Sequence, residues 1–217
     1  MRQKLLLLSI FAACCQTLPP APSVPDPSIL AEFHHGRTFA LHVLCPDGNP
    51  YMGSAIDLGN GQAISAAHVF LCEIEGIEYA PALVLAPDLD QAIDIDSVVI
   101  KSSADLALFN ITQETPQIEI PPAPRVGSTV YFSAASPIAT RRSAELIPNK
   151  YDDQPTSLVF NTPIHGGNSG GGLWRGDQLI GVLTNSIYCA KHQICGGVAT
   201  ELSKHITKKE GRYDFSR

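Results

Sequence analysis

One serine hydroxyl, that of Ser169, lies in the segment Gly166–Gly171, whose other residues are glycine and asparagine. Because glycine has no Cβ, such a turn can adopt positive φ angles and let a substrate backbone approach closely. A serine hydroxyl is an effective nucleophile only when a neighbouring base removes its proton, and inward-facing N–H groups of a turn can hold an oxyanion. The segment alone is also typical of a surface turn, so its chemistry depends on a base and an orienting acid elsewhere in the chain.

Two other segments supply those groups. Ile64–His68 ends an apolar strand with an imidazole, and Asp105–Phe109 opens another apolar strand with a carboxylate. Taken singly, His68 is typical of a core histidine and Asp105 of a turn residue at a strand edge. Together with Ser169 they are the set that Ser-His-Asp catalysis requires, in the chain order His, Asp, Ser.

The composition of the 217-residue chain is that of a globular protein, with 44% hydrophobic and 17% charged residues. This length can form a sizeable core, as one domain or as two small ones. The formal net charge is -6 and no Lys/Arg cluster forms a phosphate-binding surface, so a nucleic acid is not an expected partner. The histidines lack carboxylate or thiol partners at metal-ligand spacing, so we expect no metal and no cofactor.

Residues 1–15 have the pattern of a signal peptide. Arg2 and Lys4 precede the apolar run Leu5–Ala13. A run of about nine residues is too short for a membrane-spanning helix, which needs roughly 20. The prolines that follow disfavour the alternative of a buried N-terminal helix, so the segment predicts export.

The cleavage region Phe11–Cys14 resembles the bacterial lipobox, in which small residues precede a cysteine that becomes lipidated, and this predicts lipidation of Cys14. The alternative is ordinary signal cleavage near Ala13. Residues 16–36 contain five prolines between positions 19 and 27, which predicts a stiff, extended tether. We therefore expect a lipid-anchored protein of the periplasm or cell envelope, or alternatively a secreted one.

Short β patterns separated by turns fill the mature chain. Phe39, Leu41 and Val43 alternate with the period of a strand, and Gly59–Gly61 is typical of a hairpin turn. Strands are predicted over residues 38–45, 53–58, 62–66, 82–85, 97–100 and 106–111, and further along over 128–132, 157–160, 171–174, 178–184 and 197–200. A helix is predicted over Ala199–Lys209, with basic residues in its last turn.

The pattern predicts an all-β fold with about six strands on each side of a proline-rich linker, which is the length of two small antiparallel barrels. The N-terminal barrel is predicted to span residues 37–112 and the linker residues 113–124. The C-terminal barrel with its short terminal helix is predicted to span residues 125–208, and residues 209–217 to form a tail.

At its three chemical motifs the chain resembles the trypsin/chymotrypsin-like serine peptidases, and in particular their bacterial HtrA-like and glutamyl-endopeptidase-like branches. The matching motifs are Ala66-Ala67-His68, Asp105-Leu106-Ala107-Leu108 and Gly167-Asn168-Ser169-Gly170-Gly171. The resemblance covers residues 37–208 and implies a chymotrypsin-like fold of two six-stranded antiparallel β-barrels with the active site between them. It implies a serine endopeptidase that acts on protein or peptide substrates. No PDZ-like segment follows, so we expect a monomer.

The resemblance also implies the roles of individual residues. His68 is the general base, Asp105 holds its tautomer, and Ser169 is the nucleophile. The N–H groups of Gly167 and Ser169 form the oxyanion hole. The strand that pairs with the substrate backbone carries Thr184, Asn185 and Ser186.

In the same resemblance the base of the specificity pocket corresponds to Pro163, one wall to Ile164 and His165, and another wall to the strand at Gly197, which leaves room. No carboxylate at these positions can pair with a basic P1 side chain. His165 and Thr162 leave an acidic P1 residue open, because related glutamyl endopeptidases use a histidine and a threonine, although their histidine lies on a different strand. The residues favour a small to medium apolar P1 residue.

Asn168 carries no charge with which a new N-terminal ammonium could pair. We therefore expect neutral hydrogen bonds to hold the segment Gly166–Gly171, called here the oxyanion loop. Formation of the oxyanion hole should then need no proteolytic cleavage of the chain.

Four cysteines remain beside Cys14 and Cys15: Cys45, Cys72, Cys189 and Cys195. An even number in an oxidising compartment predicts two disulfides, for which three connectivities are possible. We predict Cys45–Cys72, which would tie the first strand to the segment after His68 and fix the base, and Cys189–Cys195.

Two other functions fit parts of the pattern. A peptidase fold without activity would serve as a binding module, although three intact catalytic residues argue against it. A lipase or esterase carries Gly-x-Ser-x-Gly, which Gly167–Gly171 fits as a string. Those enzymes need Ser before Asp before His and βα units, and this chain has neither.

Overall fold

The computed structural model describes residues 27–136, 138–150, 156–189 and 193–216. The predicted signal peptide, Cys14 and the first part of the predicted tether lie outside these residues and stay predictions. No helix in the described part of the chain is long and apolar enough to cross a membrane.

A seven-stranded antiparallel sheet dominates the first half of the chain, with strand order β7-β6-β1-β2-β3-β9-β8. Strands β4 and β5 form a separate hairpin directly after His68. The elements of this half are α1 (Pro27–Arg37), β1 (Thr38–Leu44), β2 (Pro50–Gly59), β3 (Gln62–Ala66), β4 (Cys72–Ile74), β5 (Ile77–Tyr79), β6 (Leu83–Ala86), β7 (Gln91–Ala92), β8 (Val99–Lys101) and β9 (Leu106–Asn110).

A closed six-stranded barrel forms the second half, with strand order β10-β11-β12-β15-β14-β13, and a two-stranded hairpin of β16 and β17 follows it. The elements of this half are β10 (Thr129–Ala134), β11 (Thr140–Ile147), β12 (Ser157–Phe160), β13 (Gly172–Arg175), β14 (Gln178–Tyr188), β15 (Ile194–Glu201), β16 (Ile206–Lys209) and β17 (Arg212–Phe215).

The predicted chymotrypsin-like double barrel is confirmed, with one difference in the first half. The second half closes with six strands as predicted, whereas the first-half sheet has seven strands and stays open between β7 and β8. These two edge strands have only two and three residues, which is too few for a full ladder of hydrogen bonds between β7 and β8. The first half is therefore a half-barrel.

The predicted C-terminal helix is wrong, and the predicted tail contains a strand. Residues of the predicted helix instead continue β15 to Glu201 and then form β16, which pairs with β17. Leu202 and Ile206 have helical spacing, but both are buried in the core of the first half. Tyr213 in the predicted tail donates from its backbone N–H to the Gln62 side chain over 2.7 Å. Long-range burial thus overrides the local helical pattern.

The predicted tether is wrong for residues 27–36, which belong to helix α1. The helix packs against the second half through His34, a fully buried side chain. The His34 ring stacks on Trp174 with ring centroids 4.7 Å apart. Its Nδ1 accepts from Arg141 Nε over 3.0 Å, so Nε2 carries the proton and donates to the Gly176 carbonyl over 2.7 Å.

Burial lowers the pKa of His34 to about 4, with a further lowering from the charge of Arg141. Protonation would also place an N–H of the ring against the Arg141 guanidinium, which has no acceptor. In the unfolded chain His34 takes up a proton near pH 6.5. Between these two pKa values the unfolded state binds more protons, so stability falls as the pH falls.

We expect acidification from pH 7 to pH 4 to remove up to about 3 kcal/mol of unfolding free energy through His34. A His34→Asn variant loses packing at pH 7 but cannot titrate, so its stability deficit relative to wild type should shrink toward pH 4. Urea unfolding of both proteins at pH 7, 5.5 and 4.5 measures this difference. A deficit that stays constant with pH would contradict the expectation.

Candidate active site

His68 lies in a short 3₁₀ turn, Ala67–Phe70, that follows β3 directly. Strand β9 pairs with β3 and sets Leu106 opposite Ala66, so the residue before β9, Asp105, reaches the imidazole. His68 Nδ1 donates to Asp105 Oδ2 over 2.7 Å, and the His68 backbone N–H donates to Asp105 Oδ1 over 2.9 Å. With Nδ1 as the donor, Nε2 of His68 is free to accept a proton.

Asp105 has a left-handed backbone conformation, with φ of 51°. Asp tolerates this region better than most residues, and here it turns the chain from a 3₁₀ turn into β9. The side chains of His68 and Asp105 are 45% and 33% exposed. A pair this exposed adds little to stability, so its main effect is to orient the imidazole.

The backbone after His68 is held from two sides. The Tyr51 hydroxyl donates to the Val69 carbonyl over 2.6 Å, and burial raises the pKa of Tyr51 to about 12, so the hydroxyl stays a donor. The predicted disulfide between Cys45 and Cys72 is confirmed and joins the end of β1 to the start of β4. Both contacts restrain the turn that carries the candidate base.

Ser169 sits on a loop that is bonded to both halves of the molecule. Its carbonyl accepts from the Ser54 N–H over 2.7 Å, and the neighbouring Gly170 N–H donates to the Leu183 carbonyl over 2.8 Å. Gly170 has φ of +85°, and a Cβ there would overlap the Ser54 carbonyl. Only glycine fits this position, so the backbone beside the candidate nucleophile is tightly confined.

The amide of Asn168 organises the loop before Ser169. Asn168 Oδ1 accepts from the His165 N–H over 2.9 Å, and Nδ2 donates to the Ser136 carbonyl over 3.1 Å. These are the neutral hydrogen bonds that the sequence predicted. Gly167 has φ of +87°, and the N–H groups of Gly167 and Ser169 donate to no acceptor within the described part of the chain. Both N–H groups thus remain available for an oxyanion.

One open cavity of about 480 Å³ brings the candidate residues together. It is lined by His68, Asp105, Ile164, His165, Gly166, Ser169, Thr184, Asn185, Ser186 and Tyr188. All three candidate catalytic residues and five of the predicted substrate-binding residues are in this set. Sequence reasoning missed Gly166 and Tyr188. Tyr188 lies two residues beyond Ser186 on β14. Bulges at Leu183/Asn185 and Ile187/Tyr188 interrupt the regular alternation of this strand, so its period alone did not place Tyr188 in the cavity.

Two predicted pocket residues do not line this cavity. Pro163 lines a smaller neighbouring cavity of about 190 Å³ together with Phe132 and Arg142. Gly197 faces the barrel interior, where a Cβ would overlap the ring of the fully buried Phe160. The space that Gly197 was expected to leave open is therefore filled by Phe160.

The second predicted disulfide, between Cys189 and Cys195, is also confirmed. It closes the end of the β14–β15 hairpin, one residue beyond Tyr188. A short covalent loop of this kind limits the motion of its ends. It therefore restrains the end of the strand that forms one wall of the cavity.

No protein-family model matches the sequence, and no curated protein matches it. Solved structures do share its fold. The HtrA-type protease AlgW with a tripeptide has a TM-score of 0.64 and 16% identity over 82% of this chain, which spans 60% of the AlgW chain. The active form of the Rv3671c protease from M. tuberculosis has a TM-score of 0.58 and 19% identity over 91% of this chain and 90% of that chain.

A scabies mite inactivated protease paralogue also shares the fold, with a TM-score of 0.55 and 14% identity over 78% of this chain and 90% of that chain. The chain therefore has the fold of the trypsin-like serine peptidases, as the sequence resemblance implied. An inactivated paralogue has this fold too, so the fold alone does not establish activity, which depends on the residues of the site.

We expect Asp105→Asn to lower kcat by roughly 10⁴-fold. If the amide oxygen of the variant accepts from the backbone N–H of His68, its NH₂ group faces the ring atom Nδ1. Nδ1 must then accept a hydrogen bond, so the ring proton lies on Nε2. Nε2 therefore cannot take a second proton from Ser169. The matched control is Asp94→Asn, at the N-cap of the 3₁₀ turn Ile95–Ser97. Its kcat should stay within twofold of the wild-type value. Peptide-cleavage kinetics of both variants check this, and equal loss in the two would contradict it.

Proposed function

We propose that this protein is a serine endopeptidase that hydrolyses peptide bonds through an acyl-enzyme. The observation that carries the proposal is the 2.7 Å hydrogen bond between His68 and Asp105 on the wall of the cavity that Ser169 also lines. The trypsin-like fold supports it. These groups, in this arrangement, suit attack of a serine hydroxyl on a carbonyl carbon.

In the proposed mechanism His68 Nε2 removes the Ser169 hydroxyl proton as Oγ attacks the scissile carbonyl carbon. The N–H groups of Gly167 and Ser169 hold the oxyanion, and protonated His68 gives the proton to the leaving amine. Asp105 stabilises the imidazolium throughout. A water molecule, activated by His68, then releases the acyl group.

The second candidate function is that of a peptide-binding module without catalysis. The observation that favours it is the likeness in fold to an inactivated protease paralogue. Both functions use the cavity beside β14, but only the endopeptidase needs a reactive Ser169. A covalent probe of serine reactivity therefore separates them.

We expect a fluorophosphonate probe to label the wild type and not the Ser169→Ala variant, which should also lose peptidase activity. The probe forms a bond to an activated serine oxygen, so labelling needs His68 as well as the hydroxyl. Ser143→Ala, which removes an exposed serine hydroxyl on β11, should label like wild type. Absence of labelling in the wild type would favour the binding module.

The cavity suits a neutral P1 side chain of limited length. Of the described lining residues only Asp105 carries a carboxylate, which bonds His68, and none is Lys or Arg. A basic P1 side chain would find no carboxylate that is not already bonded, and an acidic one would find only the imidazoles of His68 and His165. Burying a charge without a partner is costly. The fully buried ring of Phe160 fills the space beside Gly197, so no deeper pocket opens there. We therefore favour Ala, Val or a residue of similar size.

We expect kcat/KM on peptides varied only at P1 to be highest for small to medium apolar residues. Each methylene that fits or fails to fit should change kcat/KM by about 10- to 200-fold, corresponding to about 1–3 kcal/mol. Ser169→Ala enzyme from the same purification reports any contaminating peptidase. A dominant preference for Arg, Lys or Glu would refute this assignment of the pocket.

A further inference from the structure

Ser54 of β2, a fully buried serine of the first half, contacts the oxyanion loop of the second half. We propose that Ser54 is a positioning residue for the oxyanion hole, an inference that rests on the proposed endopeptidase function. Its hydroxyl sets the orientation of the backbone at Gly167, whose N–H is one of the two proposed oxyanion donors.

The Ser54 hydroxyl has a single possible orientation. A hydroxyl has one proton and two lone pairs. The N–H groups of Ala135 and Ser136 donate to Ser54 Oγ over 3.0 and 3.3 Å and take both lone pairs. Its proton is therefore directed to the third neighbour, the Gly167 carbonyl, 2.9 Å away.

Ser54 makes a second hydrogen bond to the oxyanion loop, through its backbone. The Ser54 backbone N–H donates to the Ser169 carbonyl over 2.7 Å. Ser54 thus holds the carbonyls on both sides of Asn168. Asn168 in turn donates to the carbonyl of Ser136, whose N–H donates to Ser54. These bonds form a closed ring between β2, residues 135–136 and the oxyanion loop.

The loop needs such a restraint because Gly166 and Gly167 have no side chains to limit rotation of their peptide groups. Asn168 also holds the loop, through its side chain and through its backbone N–H, which donates to the His165 carbonyl over 3.0 Å, but none of these groups bonds the Gly167 carbonyl. The Gly167 carbonyl belongs to the peptide group after Gly167, whereas the Gly167 N–H belongs to the one before it. Without the Ser54 bond the φ and ψ angles of this glycine are less restrained, so its N–H can turn away from the cavity. Substrate binding along β14 would persist, whereas stabilisation of the transition state would be lost.

The test compares Ser54→Ala with Ser65→Ala. Ser65 is an equally buried serine on β3 whose hydroxyl donates to the Ser54 carbonyl over 2.7 Å and makes no bond to Gly167. We expect Ser54→Ala to lower kcat about 10- to 100-fold with KM within twofold, as for partial loss of an oxyanion donor. Ser65→Ala should keep kcat within about threefold.

A readout of the oxyanion hole itself excludes a general structural effect. The Ser169 oxygen adds to the carbonyl carbon of a substrate-like peptide aldehyde as His68 takes the hydroxyl proton, and this leaves a tetrahedral oxyanion. The matching peptide alcohol has no carbonyl carbon to attack. Ser54→Ala should weaken binding of the aldehyde about 10- to 100-fold and binding of the alcohol less than twofold. Equal weakening of both inhibitors, or unchanged kcat in Ser54→Ala, would overturn the proposal.

If Ser54→Ala does not fold, Ser54→Cys replaces it. A thiol has similar shape and is a weaker donor, so kcat and aldehyde affinity should fall together by a smaller factor, and unchanged values would overturn the proposal. Fluorophosphonate labelling of the wild type is measured in parallel. Labelled wild type with unaffected Ser54 variants refutes only the role of Ser54, whereas unlabelled, inactive wild type refutes the endopeptidase and this inference with it.

Discussion

The geometry of the candidate site depends on the seam where the two halves meet. The Ser54 N–H of the half-barrel donates to the Ser169 carbonyl of the barrel loop over 2.7 Å. On the other side of the cavity the Thr200 hydroxyl of β15 donates to the Ala104 carbonyl, next to Asp105, over 2.9 Å. The imidazole and the serine belong to different halves, so these cross-seam bonds determine their relative position.

The hydrophobic core crosses the same seam. The core of the first half includes Trp174, Leu179 and Val182 from the barrel, together with Leu202 and Ile206 from the segment after it. A smaller core lies inside the closed barrel, around Phe132, Phe160 and Leu173 among others. The two halves therefore do not bury their apolar side chains independently. A shared core resists relative motion, which suits a site that needs fixed distances.

Polar groups rather than ion pairs position the reactive residues. Asp105 bonds both the ring and the backbone N–H of His68, and the amide of Asn168 bonds the loop before the serine. In the described part of the chain the one largely buried ion pair, Arg37 with Asp57 at 3.5 Å, joins the end of α1 to β2. Arg37 also donates to the Pro116 carbonyl and so holds the linker. Directional hydrogen bonds fix angles as well as distances, which oxyanion binding requires.

Local patterns were sufficient where the structure is local. Strands β3 and β12 begin and end where alternation and turn residues predicted, because strand period is a property of consecutive side chains. The two disulfides also follow the prediction. The short strand β7 and the polar strand β11 carried too weak a period to be predicted.

The sequence by itself determined the residue types of the candidate site, the order His68, Asp105, Ser169, and the β character of both halves, since motifs and periods are local. Only the tertiary structure decided that residues 27–36 form a docked helix, that the last residues pair as β16 and β17, and that Phe160 fills the space beside Gly197. It alone revealed Ser54, which lies 113 residues from Gly167 in the chain. Each of these features depends on burial or hydrogen bonding between distant segments, and such contacts leave no periodic signal in the sequence.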